Sequence, residues 1–104
     1  ELSNAAVTGG ELNLQGFSTC NAATSNRGVI VDTVDFAVTG PQTYIGSVNG
    51  MLQANNFGVL LESVTGAFSS TMDLRGDATG TDSTGAVVVL SSDFVVGDSL
   101  DIMG

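Results

Sequence analysis

Apolar and polar residues alternate with a period of two along most of the chain. Between Gly28 and Val38, the residues Ile30, Val34, Phe36 and Val38 share one face, while Asp35 and Ala37 take the other. Phe57, Val59 and Leu61 likewise oppose Leu60 and Glu62, and Phe68, Ser70, Met72 and Leu74 oppose Ser69, Thr71 and Asp73. Successive side chains of a strand point to opposite faces, so these segments predict half-buried strands. Glu11–Phe17 repeats the pattern with Leu12 and Leu14. Ala86–Leu90 is a continuous apolar run, the signature of a strand buried on both faces. Asp93–Met103 predicts a last strand or strand pair, broken at Gly97-Asp98.

Turn residues suggest how these segments join. A hairpin centred on Thr65-Gly66 sets Val59 opposite Met72 and Leu61 opposite Ser70, which collects the apolar residues of both strands on one face. A slip of one residue would undo that match. Thr is poor at φ > 0, so a four-residue loop there is a better expectation than a tight primed turn. Asn49-Gly50 predicts a second hairpin, joining Thr43–Val48 to a short strand from Met51, with a bend or bulge at Asn55-Asn56. Gly76–Gly85, rich in Gly, Asp, Ser and Thr, predicts a flexible loop. The Val-Thr-Gly triplets at Val7–Gly9, Val38–Gly40 and Val64–Gly66 are unevenly spaced, which suggests recurring strand-end chemistry rather than a solenoid repeat.

No window carries the i, i+3, i+4, i+7 apolar spacing of a helix, and Gly recurs too often for one. The expected fold is therefore all-β, one domain over residues 1–104. About seven or eight short strands with Gly-rich turns point to an antiparallel β-sandwich, jelly-roll-like, or a small β-barrel.

Charge narrows the partners. The net charge is −9 although only 12% of residues are charged, and Arg27 and Arg75 are the only cations. Nucleic-acid binding needs several Lys or Arg to neutralise phosphates, so DNA and RNA are poor candidates. Anionic membrane surfaces fail for the same reason, and no stretch approaches the apolar length of a membrane span. With 42% hydrophobic residues the chain is too apolar to be an acidic disordered segment. It opens at Glu1 without an initiator Met, as expected of a processed product or an excised piece.

Candidate chemistry is sparse. The chain has no His and no Lys, which removes His-based triads, His-bearing zinc sites, Schiff-base lysines and the phosphate lysine of a P-loop. Gly76–Gly80 lacks the Lys and following helix of a phosphate cradle. Asp73, Asp77 and Asp82 in one Gly-rich segment, and Asp93, Asp98 and Asp101 in another, offer oxygens suited to calcium. Neither group has a known loop spacing, and Asp is also an ordinary turn residue that keeps a low-charge surface soluble. Cys20 is the sole cysteine, so no intramolecular disulfide forms, and its expected place is a small buried hydrophobe. No catalytic, cofactor or metal residue is assigned.

Association is the stronger lead. Edge strands are usually guarded by Lys, Pro or inward charges. This chain has no Lys and only Pro41, while its outer positions are rich in Ser, Thr, Asn and Gly. The expectation is a non-enzymatic structural or assembly subunit with other protein subunits as partners. A virion surface or decoration protein, or an extracellular filament subunit, fits best, acting through β-rich contacts. The alternative is a secreted carbohydrate- or ligand-binding β module, which the low aromatic count disfavours: Tyr44, five Phe and no Trp.

Overall fold

The computed structural model describes residues 1–19, 25–49, 55–79 and 83–104. Its elements are β1 (Leu2–Gly9), β2 (Leu12–Ser18), β3 (Ser25–Val38), β4 (Gln42–Asn49), β5 (Asn55–Phe68), β6 (Met72–Thr79), β7 (Ser83–Leu90), β8 (Asp93–Val96) and β9 (Leu100–Met103). The all-β expectation holds. The arrangement of the strands does not.

Every strand pair is parallel. One sheet runs β1-β3-β5-β7, with β8 also on β5, and the other runs β2-β4-β6-β9. Strands adjacent in sequence belong to different sheets, apart from β7 and β8, and each returns to its own sheet one circuit later. The chain is therefore a coil, with Leu2 paired to Val31, Val31 to Leu61 and Leu61 to Val89 at steps of 29, 30 and 28 residues. This parallel solenoid replaces the antiparallel sandwich or barrel.

Thr65-Gly66 is not a hairpin. Both residues lie inside β5, where Thr65 pairs with Asp35 and Asp93, and Gly66 with Phe36 and Phe94. The feature that imitated a hairpin is a corner. In β3 the buried apolar positions are Val29 and Val31, then Val34, Phe36 and Val38. The odd-to-even switch falls at Thr33, whose φ is 56°. In β5 the same switch separates Val59 and Leu61 from Val64 and Phe68, at Ser63 with φ 54°. A left-handed residue turns the strand and changes which parity faces inward. The corner repeats at Asn4 and Ser91, so it forms a column along the coil.

Other expectations also move. Ile30 is only half-buried, and Val29 and Val31 replace it in the core. Residues Gly76–Thr79 continue β6, and Ser83 already begins β7, so Gly76–Gly85 is no single loop. Val59, Leu60 and Leu61 are all buried, whereas Val89 and Leu90 on the terminal coil are exposed, reversing the reading of Ala86–Leu90. The leading strand β1 carried too weak an alternation to be predicted. The Asn49-Gly50 turn, the strand from Met51 and Cys20 lie outside the described residues, apart from Asn49, which ends β4.

The core is a set of columns running across the coils. Leu12, Gln42, Met72 and Leu100 form one, and Leu14, Tyr44, Leu74 and Ile102 another. Phe68 packs on Phe36 at 4.8 Å between ring centroids and meets Phe94 edge-on at 5.5 Å. Gly66 occupies the column position between Phe36 and Phe94, which leaves room for that aromatic group. The two sheets touch backbone to backbone beside this core, since a Cβ on Gly46 would coincide with the Gly58 carbonyl oxygen.

Candidate interaction edges

The side chains that suggested chemistry are spread along the coil surface. Asp73 pairs in register with Thr43 and Asp101, and Asp77 with Ser47. Asp93 sits beside Thr65, and Asp98 lies in the turn between β8 and β9. Asp82 is outside the described residues. Among the described residues no three His, Cys, Asp or Glu side chains gather as a potential metal set. The closest approach to a charge cluster is Arg75, which donates from Nη2 to Asp73 Oδ2 at 2.8 Å and from Nε to both carboxylate oxygens at 3.1 and 3.0 Å. These hydrogen bonds and then the charge of Asp73 push the guanidinium above its usual value, desolvation opposes them, and Asp101 adds a lesser upward push.

Buried polar groups serve the coil itself. Gln42 donates from Nε2 to the carbonyls of Gly10 and Gly40 at 2.9 and 3.0 Å, tying two successive turns together. The Tyr44 hydroxyl donates to Gln42 Oε1 at 3.4 Å, and burial pushes the phenol above its usual range. The turns also bond directly, with Thr39 N–H donating to Gly9 O at 2.8 Å and Met72 N–H to Ser99 O at 2.9 Å. Surface depressions are open grooves; one lies between Ile45, Ser47, Arg75 and Asp77 over Gly46 and Gly76.

The ends differ from the sides. At one end β1 and β2 have a neighbour on one edge only, and at the other end the same is true of β7, β8 and β9. Free N–H and C=O groups on such edges can pair with a further strand. Some inward positions of the last coil are apolar yet open, while Val87, Phe94 and Val96 are half-buried against the core. Leu74 is 0% exposed, but Ile102, next in the same column, is 50% exposed. Leu61 and Val89 repeat the contrast at 0% and 41%. Leu2, Val7, Leu12 and Leu14 on the first coil are half-buried against the core.

Comparison with protein-family models, with curated proteins and with solved structures found no match. Among the described residues no helix is long and apolar enough to cross a membrane. The edges were not legible as sites, because edge status depends on which strand pairs with which. A usable signal was present: Asn26-x-Gly28-Val29-x-Val31 recurs 30 residues later as Asn56-x-Gly58-Val59-x-Leu61. That period marks a coil repeat more faithfully than the Val-Thr-Gly triplets.

Proposed function

We propose that this protein is a non-enzymatic structural subunit of an extracellular or virion-surface assembly, acting through β-rich contacts with other protein subunits. The observation that carries the reading is the parallel coil itself, whose strand ladders and apolar core columns run along one axis. A solenoid repeat contacts only its neighbours, so its sides are presented to partners as a regular, extended surface. Exposed Phe17, Ile45 and Val95 give that surface apolar contact points. Between filament and shell decoration, the coil favours a filament or stalk, because its hydrogen bonds and core columns all run along one axis.

A carbohydrate-binding reading has less support. Phe17 is the only strongly exposed aromatic among the described residues, and stacking a sugar generally calls for such rings. Light scattering and negative-stain microscopy over a concentration series test the proposal. Extended particles that grow with concentration are expected. A monomer at every concentration, with no affinity for a shell or filament and with a defined glycan ligand, would overturn it.

A further inference from the structure

One side of the coil differs from the rest in charge. β2 and β4 contain no Asp, Glu, Lys or Arg, and among the described residues they are the only paired strands of which this is true. Asp32 and Asp35 on β3, or Glu62 on β5, enter every pair of the other sheet, and Asp73, Arg75 and Asp77 enter the pairs made by β6. In a protein of net charge −9 this leaves an uncharged area two strands wide. Leu12, Leu14, Gln42 and Tyr44 face the core, so the alternate residues Asn13, Gln15 and Phe17, with Thr43, Ile45 and Ser47, face outward. They do so whichever strand lies beside β2.

The same area holds a projection and a hollow. Phe17 is 71% exposed, the most of any large apolar residue among those described. Beside it an open depression lies between Gln15, Ile45 and Ser47 over the main chain of Gly16. Gly16 leaves this floor bare, because its side-chain position is turned against the Gly28 carbonyl of the other sheet. A projection beside a hollow makes the area self-complementary. A two-fold axis between two copies seats each Phe17 ring in the hollow of the other.

Charge points to the same occupant. Two copies of net charge −9 repel each other, and they approach at least cost where the contact itself carries no carboxylate. A contact through any other described strand pair brings carboxylates of both copies together. A cationic partner would instead be drawn to the faces that carry the carboxylates.

We infer that the partner on this face is a second copy of the chain, joined side by side through β2 and β4 about a two-fold axis, with Phe17 and Ile45 as anchors. The inference rests on the structural-subunit reading and names its partner and face. Two strands of this length offer less than the roughly 800 Å² per partner of a standard interface, so the contact is weak and forms at high concentration.

Sedimentation equilibrium over a concentration series, at about 0.1 M and about 1 M salt, tests it. The Debye length falls from about 10 Å to about 3 Å over that range, so association of like-charged copies should strengthen with salt. Binding through opposite charges would weaken. Phe17→Ser removes the projection and should weaken association about tenfold or more. Ile45→Thr trims the hollow, keeps a β-branched residue in the strand and should act in the same direction. Val95→Ser, at a comparably exposed position on the other sheet, should leave association unchanged. All three variants should keep the circular dichroism of the parent chain. Association that Phe17→Ser and Ile45→Thr leave intact, or that weakens with salt, overturns the side-by-side pairing but leaves the structural reading standing. A protein that stays monomeric yet binds a shell or filament from its source has the same effect. A monomer that associates with nothing overturns both.

Discussion

Asn26 and Asn56 occupy the same position one coil apart, and the Asn26 Nδ2 amide donates to Asn56 Oδ1 at 3.0 Å. Both residues are buried, at 2% and 0% exposure, and Asn26 Oδ1 has no hydrogen-bond partner. A half-satisfied amide at the edge of an apolar core favours one register, because a coil displaced by one residue would break the Asn26–Asn56 bond.

Asn56→Ala removes the acceptor that the Asn26 side-chain amide has among the described residues and leaves that buried group unsatisfied. An unsatisfied buried polar group costs about 1–3 kcal/mol, and urea unfolding should show a loss in that range. Replacing both residues together should cost less than the sum of the single changes. Additive losses would show that the amides do not act as a pair.

Glycine at position 46 is required by close approach. A Cβ there meets the Gly58 carbonyl oxygen, and main chain cannot move aside as a side chain can. Overpacking commonly costs about 1–3 kcal/mol, and Gly46→Ala is expected at or beyond the top of that range. Gly10 has no atom within 4 Å of its would-be Cβ, so Gly10→Ala should be neutral or slightly stabilising. Thermal melting of the two variants provides the comparison.

Tyr44 is the sole tyrosine, so its ultraviolet ionisation reports one site. Burial holds the phenol neutral above its usual pKa of about 10. The unfolded chain loses this proton first as pH rises, so stability falls once pH exceeds the unfolded value, until the folded phenol also ionises. Tyrosinate absorbance should therefore appear together with unfolding. Tyr44→Phe should flatten the pH dependence of stability in that window.

Phe68 lies between Phe36 and Phe94 and is 1% exposed. Phe68→Ala should cost about 3–5 kcal/mol by calorimetry or urea unfolding. Phe94→Ala, at a ring only half-buried against the core, should cost less.

Asp32 and Glu62 pair across parallel strands on the outer face. Like charges in that position are destabilising, by about 0.2–1 kcal/mol on the scale of cross-strand pairs. Glu62→Gln should raise the melting temperature in dilute buffer, and the gain should shrink as salt is added. A salt-independent gain would point to a cause other than charge.

By itself the sequence determined that the chain is strand-forming and which residues most segments bury. Val34, Phe36 and Val38, then Val59 and Leu61, then Met72 and Leu74 were all legible, because side-chain alternation follows from the geometry of an extended backbone whatever lies beside it. The absence of His and Lys, and the reactions that absence excludes, was equally legible. Pairing was not. Parallel and antiparallel strands share the period of two, and the parity change at Thr33 and Ser63 looks in sequence like a reversal of the chain. The column partners vary too, with Gly66 beside Phe36 and Gln42 beside Met72, so the coil repeat is diluted in one dimension. Only tertiary structure decided that residues about 30 positions apart are neighbours, and so which strands lie at an end. The candidate site exists at that level alone, because an edge is defined by the strand that is missing beside it and no residue type encodes that.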